Sequence, residues 1–350
     1  MDPQPGASAA DATETSAAPA EPGRNGAGPD RDADGRRPEL AAAFEAVVAN
    51  VTSVYLGNDR VVRLSLACLL AEGHLLVEDL PGVGKTTLAK ALARSVGLSF
   101  RRVQFTADLL PADVVGAMVF DRDGGRLTFR PGPVFTNVLL ADELNRASPK
   151  AQSALLEAME ERQVTSDGVS HLLPRPFMVL ATQNPFDAAG TFPLPHSQRD
   201  RFLLRVSLGY PDRDAEERLL ADQAVRPSVD TLGTVCGPDI FGRFAAAVDR
   251  VHLAPAVRRY ILELVAATRT HPNLSIGASP RATLALQRAA SAVAIARGET
   301  FVAPHDVAIT AEPALAHRVV VDAAADLAGV TATTVIEQIL AAVPVPVGTS

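Results

Sequence analysis

Short apolar runs punctuate the chain as far as residue 206, and apolar residues at three- and four-residue spacing fill the stretches between them. From Leu40 onward, Phe44, Val47, Val48, Val51 and Val54 recur at the helical period. A second helix is expected over residues 59–72. The run Leu75, Leu76, Val77 is short enough for a buried strand. A glycine-rich loop and a helix follow it, with Gly97 as the helix's natural stop. Residues 101–105 are a second strand. Alternating residues around 118–120 and 127–129 flank Asp123-Gly124-Gly125-Arg126, the pattern of a β-hairpin, which Pro131-Gly132-Pro133 ends. Residues 138–141 form another buried strand, closed by Asp142-Glu143. Ser148-Pro149 supplies the cap and first position of a helix running through Glu161. Residues 177–181 and 203–206 add two more strands. Apolar strands alternating with helices predict an α/β fold, with a parallel sheet covered by helices on both faces.

After Tyr210-Pro211 the strand signals stop. Val257, Tyr260, Ile261, Leu264 and Val265 mark one helix face, Ser279-Pro280 and Pro304 open two further helices, and 331–342 forms the last. A smaller, all-helical second domain is therefore expected over 211–345, after a core at 39–210. Residues 2–38 contain no Val, Ile, Leu, Met or aromatic residue. With nothing to bury, the segment 1–38 is expected to be a disordered tail.

Composition narrows the function. Of 350 residues, 47% are hydrophobic, enough for a sizeable core, and the formal net charge is −7. Arginines are scattered, without basic blocks, which argues against a sequence-independent nucleic-acid clamp. No run is long enough to span a membrane. Two cysteines, Cys68 and Cys236, make no disulfide framework, and a reducing cytoplasm fits best.

The chemistry centres on the loop Pro81-Gly82-Val83-Gly84-Lys85-Thr86-Thr87, between strand and helix. Glycines let backbone N–H groups turn around phosphate oxygens, and the helix start adds partial positive charge. Lys85 would reach the β and γ phosphates, and Thr86 would hold Mg²⁺. Asp79 stands where the general phosphate-loop pattern has its first glycine. The chain has only three lysines, and one of them stands where the pattern needs it. Asp142 at a strand tip would help hold Mg²⁺, and Glu143 would polarise the attacking water. Asn184 ends the next strand; it either orients that water or marks a turn before Pro185. Arg281 lies in the first turn of a helix, against the dipole, and needs an anionic partner, either a γ phosphate or a carboxylate. Arg201 is a candidate arginine finger for a neighbouring subunit. The seven histidines show no metal-ligand spacing. No guanine-reading Asn-Lys-x-Asp motif follows, so ATP is the expected nucleotide.

Together these motifs resemble the MoxR family of AAA+ ATPases. The resemblance rests on Glu78 through Thr86, Gln104-Phe105-Thr106, Asp108-Leu109-Leu110-Pro111 and Pro131 through Phe135. It rests also on Ala141 through Arg146, Gln152 through Met159, Ala181-Thr182-Gln183-Asn184-Pro185 and Asp200 through Val206. It implies an AAA+ core with a helical lid, and a hairpin insert at 105–130 facing a central pore. Arg201 would be the finger and Arg281 the lid's sensor arginine. The resemblance further implies a homo-oligomer, a hexameric ring, that remodels a protein client, in some members for metal-cofactor insertion. The usual partner carries a von Willebrand factor A domain. Arg199 and His196 depart from the family pattern, which leaves open whether Arg199 contributes beside Arg201. A nucleic-acid-remodelling motor and a non-hydrolytic, ATP-gated scaffold are the alternatives.

Overall fold

The computed structural model describes residues 37–122, 124–184, 190–211, 213–214, 216–217 and 228–346. The expected tail therefore lies outside the described residues except for its last two positions. So do Asp123 of the hairpin turn, Pro185 and most of 212–227.

Two helices precede the sheet, α1 (Arg37–Thr52) and α2 (Asp59–Leu70). Helix α2 ends earlier than expected, because Glu72 adopts a left-handed conformation (φ 49°) just before Gly73. Five parallel strands follow in the order β2-β5-β8-β1-β9. They are β1 (Leu75–Glu78), β2 (Phe100–Gln104), β5 (Val138–Asp142), β8 (Met178–Gln183) and β9 (Leu204–Val206). The pairs Leu75↔Leu180 and Leu75↔Leu204 align β1 with both neighbours. Phe100↔Val138 through Gln104↔Asp142 align β2 with β5, which places β2 one residue earlier than the sequence pattern predicts.

The twofold alternation of side chains divides the core. Leu75, Val77, Val138, Leu140, Met178 and Leu180 belong to an apolar cluster on one face. Leu76, Leu139, Ala141, Val179 and Ala181 belong to a second cluster on the other. Helix α3 (Lys85–Ser95) covers the first face and α5 (Pro149–Glu161) the second. Both faces are thus dry, which is why these strands are continuous apolar runs.

A one-turn helix, α4 (Pro111–Val115), leads into the expected hairpin, β3 (Gly116–Asp121) with β4 (Arg126–Pro131). A second hairpin, β6 (Gln163–Ser166) with β7 (Val169–Leu172), was not expected. Its turn, Asp167-Gly168, has positive φ at both residues. The Asp-Gly pair is visible in the sequence, but the flanking Gln, Thr and Ser positions blur the alternation. A single turn, α6 (His196–Arg199), precedes β9.

The rest is mostly helical: α7 (Pro238–Arg250), α8 (Pro255–Thr270), α9 (Pro280–Ala296), α10 (Pro304–Leu315), α11 (Ala323–Leu327) and α12 (Ala332–Ala342). It is not wholly so. An antiparallel ribbon of β10 (Leu274–Ile276) and β11 (Val320–Val321) is embedded in it. Strands of three and two residues are too short to show a period of two. The lid packs into the same apolar cluster as the first face of the sheet, through Leu286, Val307 and Ile336 among others. None of the described helices is long and apolar enough to cross a membrane.

Candidate nucleotide site

A cleft of about 360 Å³ opens at the carboxyl ends of β1, β5 and β8. Pro81, Gly82, Gly84, Lys85, Thr86, Asp142, Glu143 and Asn184 line it. The fold brings this subset of the sequence-predicted residues together because parallel strands all end on one edge. Val83 instead packs on the apolar core, and Thr87, one position into α3 from Thr86, does not line the cleft.

The loop is held from beneath by Asp79. Its Oδ2 accepts from Gly209 N at 2.8 Å, Ser207 Oγ at 3.0 Å and Leu208 N at 2.5 Å, while Oδ1 accepts from Leu80 N at 2.8 Å. The residue that departs from the general pattern is therefore an anchor, tying the loop's start to the segment after β9. At the other end Gly84 caps α3 with φ 94°. A Cβ there would come within 3.2 Å of the Tyr55 ring, so both backbone angle and space call for glycine. Lys85 Nζ donates to Asp79 O at 2.5 Å, and partial burial lowers its pKa. That aims an amine into the mouth of the loop.

The acidic side of the cleft is a chain of hydrogen bonds. Thr182 Oγ1 donates to Asp142 Oδ1 at 2.6 Å and accepts from Glu143 N at 2.8 Å. Glu143 itself sits in the left-handed region (φ 55°), an unusual place for a non-glycine residue and a form of strain that collects at functional sites. Two residues that sequence reasoning missed as site groups complete the chain. Arg102 pairs with Asp142 Oδ2 at 2.7 Å, and Gln104 Nε2 donates to Glu143 Oε2 at 2.8 Å. Both belong to the sheet's edge strand β2, and their two-residue spacing, which puts them on one face of that strand, is the signal that could have found them.

Thr86 and Asp142 offer hard oxygen donors on facing walls, a set that suits Mg²⁺ beside a polyphosphate. Among the described residues no group of three or more His, Cys, Asp or Glu could hold a metal ion alone. Asp142 already has Arg102 as a counter-charge, so a bound cation would share or displace it.

Arg201 and Arg281 lie elsewhere. They line a second cleft, of about 350 Å³, together with Gly73 and His74 just before β1 and Leu203 just before β9. This is the amino-terminal end of the sheet, opposite the phosphate loop. Four- to six-residue central strands keep the two ends roughly 15 Å apart, beyond the reach of an arginine side chain. Arg201 Nη2 and Arg281 Nη2 meet on Glu160, at 3.1 and 2.6 Å. Of the two partners open to Arg281 in the sequence, the structure supplies the carboxylate. Arg199 on α6 lines neither cleft.

Beneath this pair lies the buried guanidinium of Arg318, which the sequence did not single out. It donates to Asp200 Oδ1 at 2.6 Å, Leu203 O at 3.0 Å and Phe202 O at 2.5 Å. Asp200 Oδ2 also accepts from Ser279 Oγ at 2.9 Å, and Ser279 caps α9. The segment that carries Arg201 and the helix that carries Arg281 thus share one buried node.

Comparison with known proteins identifies the family. A family model described as "ATPase family associated with various cellular activities (AAA)" matches residues 74–204, and an AAA lid domain model matches 266–339. The uncharacterized protein YeaC of Bacillus subtilis is 44% identical over 309 residues, 88% of this chain and 97% of that one. Chaperone MoxR1 of Mycobacterium tuberculosis is 38% identical over 340 residues, 93% of this chain and 89% of that one. A crystal structure from Cytophaga hutchinsonii, described as that of a candidate ATPase, superposes with a TM-score of 0.84 at 33% identity, covering 90% of this chain and 98% of the other. The sheet order, the phosphate loop facing paired acids, the helical lid and these relatives together assign the chain to the MoxR family of AAA+ ATPases.

Proposed function

We propose that this chain binds Mg·ATP in the cleft around Lys85, hydrolyses it, and does so only between adjacent copies in a homo-oligomeric ring, a hexamer. The observation that carries this reading is the placement of the two clefts at opposite ends of one sheet. A triphosphate seated on Lys85 lies out of reach of the same subunit's Arg201 and Arg281. A neighbour related by head-to-tail packing, the contact that closes rings, presents its arginines to that triphosphate. Lys85 and the loop amides hold the phosphates. Thr86 and Asp142 would hold Mg²⁺, which supplies charge neutralisation at the β and γ oxygens. Glu143 takes the proton of the attacking water, Asn184 orients that water, and the two arginines stabilise charge on the leaving phosphates.

The work done with this energy is remodelling of a protein client, in the manner suggested by a relative named as a chaperone. The hairpin of β3 and β4 supports it by presenting Val119, Phe120 and Leu127 to solvent. A von Willebrand factor A domain protein is the expected partner, the cytoplasm the expected compartment, and metal-cofactor insertion one form the remodelling would take. We place the core at 39–210 and the lid at 211–345.

Mixing inactive subunits tests the reading. Lys85→Ala and Arg201→Ala should each abolish Mg²⁺-dependent phosphate release. An equal mixture should recover activity at about a quarter of interfaces, those pairing an intact loop with an intact finger. No recovery on mixing, or wild-type turnover in Arg201→Ala, overturns it.

A further inference from the structure

Glu160 touches neither the phosphate loop nor the paired acids, yet its single carboxylate holds the two arginines that the reading above sends into a neighbour's cleft. We propose that Glu160 is a positioning residue that binds Arg201 and Arg281 into one paired-guanidinium receptor for the triphosphate of an adjacent copy; the inference rests on that reading.

Three observations carry it. First, each oxygen of Glu160 takes one guanidinium: Oε1 accepts a hydrogen bond from Arg281 Nη2, and Oε2 forms an ion pair with Arg201 Nη2. A guanidinium has five N–H donors in a fixed fork, so both arginines keep donors for a second anion. Second, two like charges in one cleft repel, and a carboxylate between them removes that repulsion while leaving the trio with a net positive charge. The lining of this cleft as a whole holds five arginines against three carboxylates, while Asp249 pairs with Arg288 and Glu157 and Glu161 line a neighbouring pocket with Arg201. Third, the backbone beside both arginines is tied down by hydrogen bonds. Arg318 grips Asp200 and the carbonyls of Phe202 and Leu203, and Ser279 joins Asp200 to the start of α9. With the main chain set by that node, the remaining freedom is in the two side chains, and Glu160 is the group that restrains both. A preorganised pair of cations costs little rearrangement when charge develops on the transferring phosphoryl group.

Steady-state ATP hydrolysis by the assembled protein tests this, using Glu160→Gln, Glu160→Asp, Arg201→Ala, Arg281→Ala and the double variant Glu160→Gln/Arg281→Ala. Glu160→Gln should lower kcat about tenfold and leave KM for ATP within about twofold, because the nucleotide's own cleft is untouched. Within Arg281→Ala the same change should cost less than it does in the wild-type background, since one of the two arginines that Glu160 positions is already gone. Glu160→Asp keeps the charge and should regain part of the turnover. Equal losses in the Gln and Asp variants would assign the effect to the folding of α5 and overturn the proposal. Wild-type kcat in Glu160→Gln alongside inactive Arg201→Ala and Arg281→Ala would also overturn it while leaving the shared site standing. Wild-type turnover in both arginine variants would instead remove the shared site itself.

Discussion

At position 79 a carboxylate occupies the place of the first glycine in the general phosphate-loop pattern, and the structure gives it a task glycine cannot perform. Three donors on residues 207–209 converge on its Oδ2. Asp79→Gly, although it restores the general pattern, should therefore destabilise the fold by about 3 kcal/mol, because buried N–H groups lose a charged acceptor. Chemical denaturation measures this. His74 provides a second prediction. Its Nδ1 accepts from Val179 N at 3.0 Å, so its Nε2–H donates to Met159 O at 3.1 Å, and burial drives its pKa down to about 4. Unfolded, the ring titrates near 6.5. The folded state therefore binds fewer protons between these values, and stability falls as pH drops from 6.5 toward 4. The loss from this residue is about 3 kcal/mol at most. His317, held well below its ordinary value by burial and by Arg318, acts in the same direction. His74→Gln should flatten the pH profile of the unfolding free energy in that window by about one proton's worth; an unchanged slope would contradict the assignment.

At the scale of elements, the two serine-proline starts that the sequence marks as caps behave differently. Ser148 Oγ accepts from Ala151 N and makes no other side-chain hydrogen bond among the described residues, so Ser148→Ala should cost about 1 kcal/mol. Ser279 Oγ accepts from Ala282 N and also donates to Asp200. Ser279→Ala should cost more, about 2 kcal/mol, because a partly buried carboxylate loses a partner as well. Denaturant midpoints of the two variants, compared side by side, check the order. The same distinction explains what was legible. Cap, proline and periodicity are local signals, and they place both ends of α5 and the start of α9 to the residue. The hydrogen bond from Ser279 to Asp200 joins positions 79 residues apart, and no local pattern encodes it.

Across the whole molecule, Arg318 is where lid and core meet. It is 2% exposed, and its ion pair with Asp200 is the most enclosed of the arginine–carboxylate pairs around the second cleft. Arg318→Met would leave the Asp200 carboxylate without its buried counter-charge, at about 3–5 kcal/mol. Because Asp200, which also holds Ser279, loses its anchor, turnover of the assembled protein should fall further than the stability loss explains. Thermal melting and ATP hydrolysis below the melting midpoint separate the two effects. A second tie runs from Arg205 on β9 to Glu78 at 3.3 Å, Glu312 at 2.9 Å and Thr333 at 3.0 Å. It links the strand before the phosphate loop to helices of the lid.

The sequence alone was enough to name most of the residues that line the candidate nucleotide cleft, and to give the α/β class. Glycine spacing, a scarce lysine, strand-ending acids and uninterrupted apolar runs all express short-range rules of backbone freedom and burial. It named the two arginines but left the partner of Arg281 open. The tertiary structure placed them at the far end of the sheet, on Glu160 and above Arg318, and it supplied Asp79 with its donors. It also brought Arg102 and Gln104 to the acids. Those contacts join residues far apart along the chain through charge and hydrogen bonding, which have no period, so only the folded path of the backbone could bring them together.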